Sequence, residues 1–177
     1  MALDSDNVRV AVTGAVYVAP TGTSAPTATD SALNVAFVDL GYLSADGISE
    51  NIDRTTAQIR SWQRGSLVRE VTSEATFSVT LTMIETKEDV LELYFGASNV
   101  SGKFEIDPSS SGGRKSFVYD VVDGTNIERT YIPAGEVTAV GPRTLASGEA
   151  VGYNVTITAY ADAGATTVTK WISSLEA

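Results

Sequence analysis

The stretch Ser109 to Ser116 reads S-S-S-G-G-R-K-S, a run of hydroxyls, glycines and bases of the kind that can cradle a phosphate. It lacks the G-x-x-x-x-G-K-[ST] spacing, and it joins strand-like segments where a phosphate loop would open a helix. It therefore reads as a turn. Acidic clusters occur at Asp4/Asp6, Glu85/Glu88/Asp89 and Asp120/Asp123. None has the ligand spacing of a calcium loop. With 22 acidic residues in the chain, adjacent carboxylates arise from composition, and no metal site is expected. Two carboxylates could in principle hydrolyse a glycoside, but no pair stands apart from the turn and strand-end acids. There is no histidine and no cysteine, which removes the commonest general base, the commonest metal ligand and every thiolate. Asn99-Val-Ser101 and Asn154-Val-Thr156 match the glycosylation acceptor pattern, and in a chain so rich in Thr and Ser both read as coincidence. No catalytic constellation remains, so neither an enzyme nor a cofactor is expected.

What must then be positioned is a surface. The chain has 177 residues, enough for one domain with a sizeable core. Charged residues make up 19%, below the usual quarter, and Thr and Ser take their place. A net charge of −10 and a pI near 4.3 argue against nucleic-acid affinity, which depends on Lys and Arg neutralising phosphates. The opening Met-Ala-Leu-Asp-Ser-Asp is not a secretory signal. No apolar run reaches membrane-spanning length. A soluble protein made in the cytosol is expected, without a membrane anchor.

The organising element is Glu74 to Ile84, E-A-T-F-S-V-T-L-T-M-I. Strand side chains alternate, so Ala75, Phe77, Val79, Leu81 and Met83 form an apolar face, and Glu74, Thr76, Ser78, Thr80 and Thr82 a hydroxyl-lined one. Val151 to Tyr160 repeats the pattern, with Asn154, Thr156 and Thr158 on its polar side. Such faces border water or another surface without gripping anything.

Around these two, a first long strand is expected over Val8–Val18, where Gly14 marks a bulge or a close backbone approach. A Pro/Thr/Ser-rich loop covers 20–34, either mobile or pinned by a partner. A short strand is expected over 35–40, and Asp46-Gly47 signals a tight turn. Between 48 and 71 lie Arg54, Arg60, Arg64 and Arg69 with Trp62, in a hairpin turning at Gln63–Ser66. It is either a solvated hairpin balanced by nearby acids or an arm docking on an acidic neighbour, Trp and Arg being interface anchors. Thr86 and Asp89 suggest a capping box for one short helix stopped at Gly96. Strands are expected at 116–122, 128–132 and 136–140, with Pro133–Gly135 ending the second. Trp171, Ile172 and Leu175 lie past any evident sheet, so the tail either reaches a neighbour or closes its own domain. There is no solenoid period. The layout is mainly β with one flanking helix: a β-sandwich or partly closed barrel.

V-R-V-A-V-T-G-A-V-Y-V-A-P (8–20), V-D-L-G-Y-L-S-A-D-G-I-S-E (38–50) and the strand-plus-helix run 75–96 resemble, in that order, the major tail tube proteins of long-tailed bacteriophages. The resemblance is weaker over 100–170. It implies a single tail-tube domain over 1–177, with a 1–7 extension, projecting segments at 19–34 and 48–72, and a C-terminal arm at 165–177. It further implies hexameric rings whose strands join an inter-subunit barrel and stack into a hollow virion tube, assembled in the host cytoplasm. Tape-measure, tail-terminator and distal tail proteins are the implied partners, and double-stranded DNA passes without adhering. On that reading Glu74, Thr76, Ser78, Thr80, Thr82, Asn154, Thr156 and Thr158 line the lumen. Arg54, Arg60, Trp62, Arg64, Arg69 and Trp171 make contacts between rings or subunits. The alternative is the inner tube of a contractile or secretion-type injection machine. A carbohydrate-binding sandwich would need clustered exposed aromatics, and here they are scattered.

Overall fold

The computed structural model describes residues 7–175, so Asp4 and Asp6 and most of the expected 1–7 extension lie outside the described residues. Ten strands and one helix follow in order: β1 (Thr13–Pro20), β2 (Val38–Asp39), β3 (Leu43–Arg60), β4 (Leu67–Met83), α1 (Glu88–Phe95), β5 (Asn99–Val100), β6 (Lys103–Phe104), β7 (Lys115–Asp123), β8 (Asn126–Val140), β9 (Tyr153–Tyr160) and β10 (Thr169–Ile172). Apart from the small β5–β6 ladder, the strands form one antiparallel sheet in the order β2-β1-β7-β8-β9-β4-β3, with β10 on β8. The sheet folds over itself. Val16 and Val18 of β1 and Phe117 and Tyr119 of β7 share a core with Val79, Leu81 and Met83 of β4 and Val155 and Ile157 of β9. The two end strands, β2 and β3, do not pair, so the barrel is only partly closed.

β8 makes the fold-over possible. Its first half pairs with β7 and β10, and Ala134 to Val140 pair with β9. The expectation of two strands separated by Pro133–Gly135 is corrected here: the strand is continuous. Proline lacks an N–H for the ladder, and Pro133 sits where β8 changes neighbours and the β7 register shifts. Its carbonyl accepts from the buried Ser116 hydroxyl at 2.8 Å. A Cβ on Gly135 would come within 2.7 Å of the Phe117 ring, so only glycine fits beneath the crossing.

Four further expectations change. The first strand begins at Thr13, not Val8. Val8, Val10 and Val12 alternate as a strand would, but the ladder from β1 to β7 starts at Thr13↔Val122 and leaves them exposed. Gly14 does mark a close approach, since a Cβ there would meet the Asp120 carbonyl at 2.5 Å. The 35–40 strand shrinks to two residues. Asp46-Gly47 is not a turn: β3 runs through it, and the register slips from Leu43↔Met83 to Ile48↔Leu81, a large bulge. The capping box does not form. Lys87 is the N-cap and makes no side-chain capping bond, while the Thr86 hydroxyl pairs with that of Tyr153 at 3.0 Å. Gly96, at φ 63°, does end α1, its N–H reaching the Glu92 carbonyl.

The 20–34 loop is held by its own chain. Arg129, mostly buried, grips Asp120 through two 2.7 Å bonds and donates to the carbonyls of Ser31 (2.6 Å) and Ala28 (3.2 Å). The Tyr131 hydroxyl donates to the Thr23 carbonyl at 2.8 Å. The tail likewise closes its own sheet: Trp171 lies opposite Arg129 in the β10–β8 ladder, correcting the expectation that it lies past any sheet.

Candidate functional site: a hydroxyl face and an arginine arm

β4 separates two environments through its alternation. Val79, Leu81 and Met83 are at most 2% exposed, whereas Ser78, Thr80 and Thr82 are half-buried and Glu74 and Thr76 exposed. β9 adds Asn154, Thr156 and Thr158 in register, opposite Thr82, Thr80 and Ser78. The side chains bond across strands: Thr80 Oγ1 to Thr156 Oγ1 at 3.0 Å, Asn154 Nδ2 to Thr82 Oγ1 at 2.9 Å, and Thr138 Oγ1 of β8 to Thr158 Oγ1 at 2.7 Å. Cross-strand pairs of this kind stabilise a sheet face.

Of the eight residues that the sequence reading placed on a polar face, Ser78, Thr80, Thr82, Asn154, Thr156 and Thr158 lie on the face shared by β4 and β9, and Glu74 and Thr76 continue the alternation of β4 past the last β9 pair. The reading missed β3, whose Ser49, Asn51 and Asp53 stand opposite Thr80, Ser78 and Thr76. The bulge at 44–47 hid the register; the alternation S-x-N-x-D from Ser49 was the available signal. Glu136 of β8 stands opposite Thr158 on the part of the face that β9 shares, while the carboxylates of Asp53 and Glu74 lie past the last β4–β9 pair, where β3 and β4 continue alone. The base at its rim, Arg114, lies 4.4 Å over the Tyr160 ring and 4.0 Å from Glu136.

Beyond Phe77, β4 loses β9 and pairs with β3 alone. Residues 53–76 thus form a two-stranded ribbon, exposed at every position except Ser61, which is half-buried. The expected hairpin is present, with Arg64 and Gly65 at positive φ in its tip and Ser61 N–H bonded to the Ser66 carbonyl. One face carries a polar chain: Thr56 and Gln58 donate to Glu70, and Arg60 donates to Gln58. Arg54, Arg60, Arg64 and Arg69 form no ion pair within 4.0 Å with an acid among the described residues, although Asp53, Glu70 and Glu74 lie on the same two strands. Trp62 is 97% exposed, and Ile52, Ile59 and Val68 are each more than half exposed.

The root of the ribbon is anchored. Glu50 accepts from the Tyr119 hydroxyl and from Lys170, each at 2.6 Å, and Lys170 also reaches Glu128 at 2.6 Å. Burial raises the Tyr119 pKa strongly, helped by Glu50. Burial works against the Lys170 charge, but Glu128 and Glu50 outweigh it and hold its pKa above the usual lysine value. The acids suspected of holding a cation are otherwise engaged: Glu85 accepts from Tyr42 N–H, Glu88 from Asn99, Asp120 from Arg129 and Asp123 from Val10 N–H. No helix among the described residues is long and apolar enough to cross a membrane.

A partly rolled antiparallel sandwich with a flanking helix, a smooth polar sheet face and a projecting ribbon is the build of a self-assembling wall component. The sequence matches the phage tail tube protein family over residues 1–176. The chain belongs to that family, whose members are structural proteins of the tail tube. No curated protein matches the sequence significantly. Solved structures of similar fold include a chain of the sheath–tube complex of an extracellular contractile injection system (TM-score 0.54, 10% identity, 94% of this chain and 93% of that one). Another is from the sheath/tube terminator of such a system (TM-score 0.51, 12% identity, 94% and 99%). A third is from the tail of an empty GTA particle refined with C6 symmetry (TM-score 0.50, 11% identity, 95% and 98%).

Proposed function

We propose that the protein polymerises as stacked hexameric rings into the hollow tail tube of a virion, and that the tube conducts the genome to the host. The observation that carries this is the division of β4 and β9 into a fully buried apolar face and an opposite face of mutually bonded small polar groups. In a ring, the four-stranded unit β8-β9-β4-β3 supplies the inner wall. The outer edge of β3 and the 136–140 edge of β8 have no strand partner among the described residues, and pairing them between neighbours hides edges that would otherwise invite aggregation. The hydroxyl face then lines the bore. Its carboxylates repel phosphate, and without lysine–phosphate contacts DNA moves with little friction.

The arm at 48–72 carries contacts between rings, and the role is structural rather than catalytic. Assembly takes place in the host cytoplasm, with tape-measure, terminator and distal tail proteins as partners. Negative-stain microscopy of concentrated protein tests the reading: hollow tubes are expected, and a protein that stays monomeric at every concentration refutes it. The fold similarity to injection-system tubes favours a second reading, an inner tube within a contractile sheath. Co-assembly with a sheath protein distinguishes the two.

A further inference from the structure

The arm ends in an exposed tryptophan, and the opposite end of the same sheet carries an apolar groove. This groove, about 370 Å³, lies between the C-terminal end of α1, the 106–111 loop and the edge of β8. Phe95, Ile106, Pro108, Val137 and Val140 line it, and Ile106 and Val140 are about half exposed. Its shape is fixed by a close backbone contact: a Cβ on Gly96 would lie 2.5 Å from the Ser110 carbonyl. Val140 stands level with Val155 and therefore with Leu81, near the C-terminal end of β4. The arm's tip lies past Leu67, at the other end. Fourteen residues of strand put roughly 45 Å between the two levels. A chain cannot fill its own groove with its own tip, but a copy displaced along the strand direction can.

We infer that Trp62 of one copy seats in the α1/106–111/β8 groove of a copy in the adjacent ring. This rests on the stacked-ring reading and names the acceptor site within it. Charge agrees with the placement. Residues 54–69 contain four arginines and no acid, while residues 85–111, which supply the groove's helix and loop walls, contain six acids and two lysines. Asp107 lies at the groove, and Ser109, donating to it through both hydroxyl and N–H, holds its carboxyl below the ordinary aspartate range. Arg143 lies over the Phe95 ring at 5.7 Å and leaves the acidic excess in place. The contact is head-to-tail, with different surfaces on the two partners, and such contacts propagate into open filaments.

The chain has no cysteine, so Gln63→Cys with Ile106→Cys reports the contact and leaves Trp62 intact. Oxidised tubes are expected to give a covalent ladder extending past six subunits. A ladder stopping at two or at six, from a reciprocal pair or a contact within one ring, overturns the assignment. So does the absence of cross-links in well-formed tubes, which leaves the tube reading standing. With Trp171→Phe, Trp62 becomes the sole tryptophan, and its emission should shift to the blue on assembly; a water-like spectrum in tubes overturns the seating. Trp62→Ala should raise the critical concentration for growth about 30-fold, as losing an interface hot spot does, with the monomer's circular dichroism unchanged. Failure of the unaltered protein to form tubes overturns the ring reading and this proposal with it.

Discussion

Replacing Arg129 by alanine should unfold the 20–34 loop from the sheet and cost the monomer much of its stability. The guanidinium side chain is 9% exposed and that of Asp120 14%, so removal strands a carboxylate in a mostly buried site. It also strips the carbonyls of Ala28 and Ser31 of their donor. Removing one partner of a buried ion pair costs about 3–5 kcal/mol. Some water reaches this pair, which places the expectation at about 3 kcal/mol. For a domain of this size that corresponds to a melting point lowered by about 6–12 °C. Urea denaturation of the monomer gives the free energy, and limited proteolysis should show new cleavage between Thr21 and Asn34. The double variant Arg129→Met, Asp120→Leu should recover part of the loss, because it leaves no unpaired charge behind. A loss under about 1 kcal/mol would mean that the pair is no more than a solvated surface contact, and that the loop is held by something else. The same geometry governs deletion of Thr23–Thr29. That change removes the carbonyl bound by Tyr131 and the buried Thr29, so it should destabilise the subunit as well as any assembly.

Thr76→Lys together with Thr80→Lys places bases on the face assigned to the bore. Tubes that still assemble should then retain DNA during ejection, and unchanged ejection from such tubes would remove the lumen assignment. The Lys170 tie to Glu50 and Glu128 has an alkaline limit. Its pKa is raised above the ordinary 10.5, so the stabilisation is complete below that value and is lost as pH rises through the folded-state value. Lys170→Met should abolish this alkaline step in a pH–stability profile; a step that persists unchanged assigns it to another group. Gly96→Ala combines a left-handed backbone, costing an alanine about 1–2 kcal/mol, with a Cβ against the Ser110 backbone. Thermal melting should show a clear loss, and a neutral change would mean that the 106–111 loop yields freely.

The periods of two were legible over 77–83 and 153–160 because there each strand has one face in the core and the other out of it, the condition under which alternation identifies a strand; Ala75, expected on the apolar face, is exposed. Where that condition fails, the reading fails as well. Val8, Val10 and Val12 alternate with no core beneath them, and the ladder leaves them out. Pro133 looked like a terminator because sequence does not say which edge of a strand is unpaired at a given residue. Asp46-Gly47 has turn chemistry, but a bulge uses the same residues. Arg129 was invisible because its partners, Asp120, Ala28 and Ser31, come together only once β7 and β8 pair. The groove beside α1 was hidden for the same reason. It is made by three segments distant in sequence.

The arm is the part of the chain least explained by the chain alone. A two-stranded ribbon is at best marginally stable in water, and this one exposes Ile59, Trp62, Leu67, Val68 and Val71 with no core to repay the ordering of its backbone. Its own bonds are few and solvent-facing, and its fixed points are Glu50 at the root and the Ser61–Ser66 turn at the tip. Charge on an exposed edge discourages indiscriminate strand pairing, and four arginines on an otherwise acidic chain do this while favouring an acidic partner. On the proposed stacking, the same residues keep free subunits apart and select one another's far ends, and assembly supplies the packing that the isolated ribbon lacks. Stability of the arm and growth of the tube would then be one coupled equilibrium, in which weakening Trp62 affects growth without touching the core.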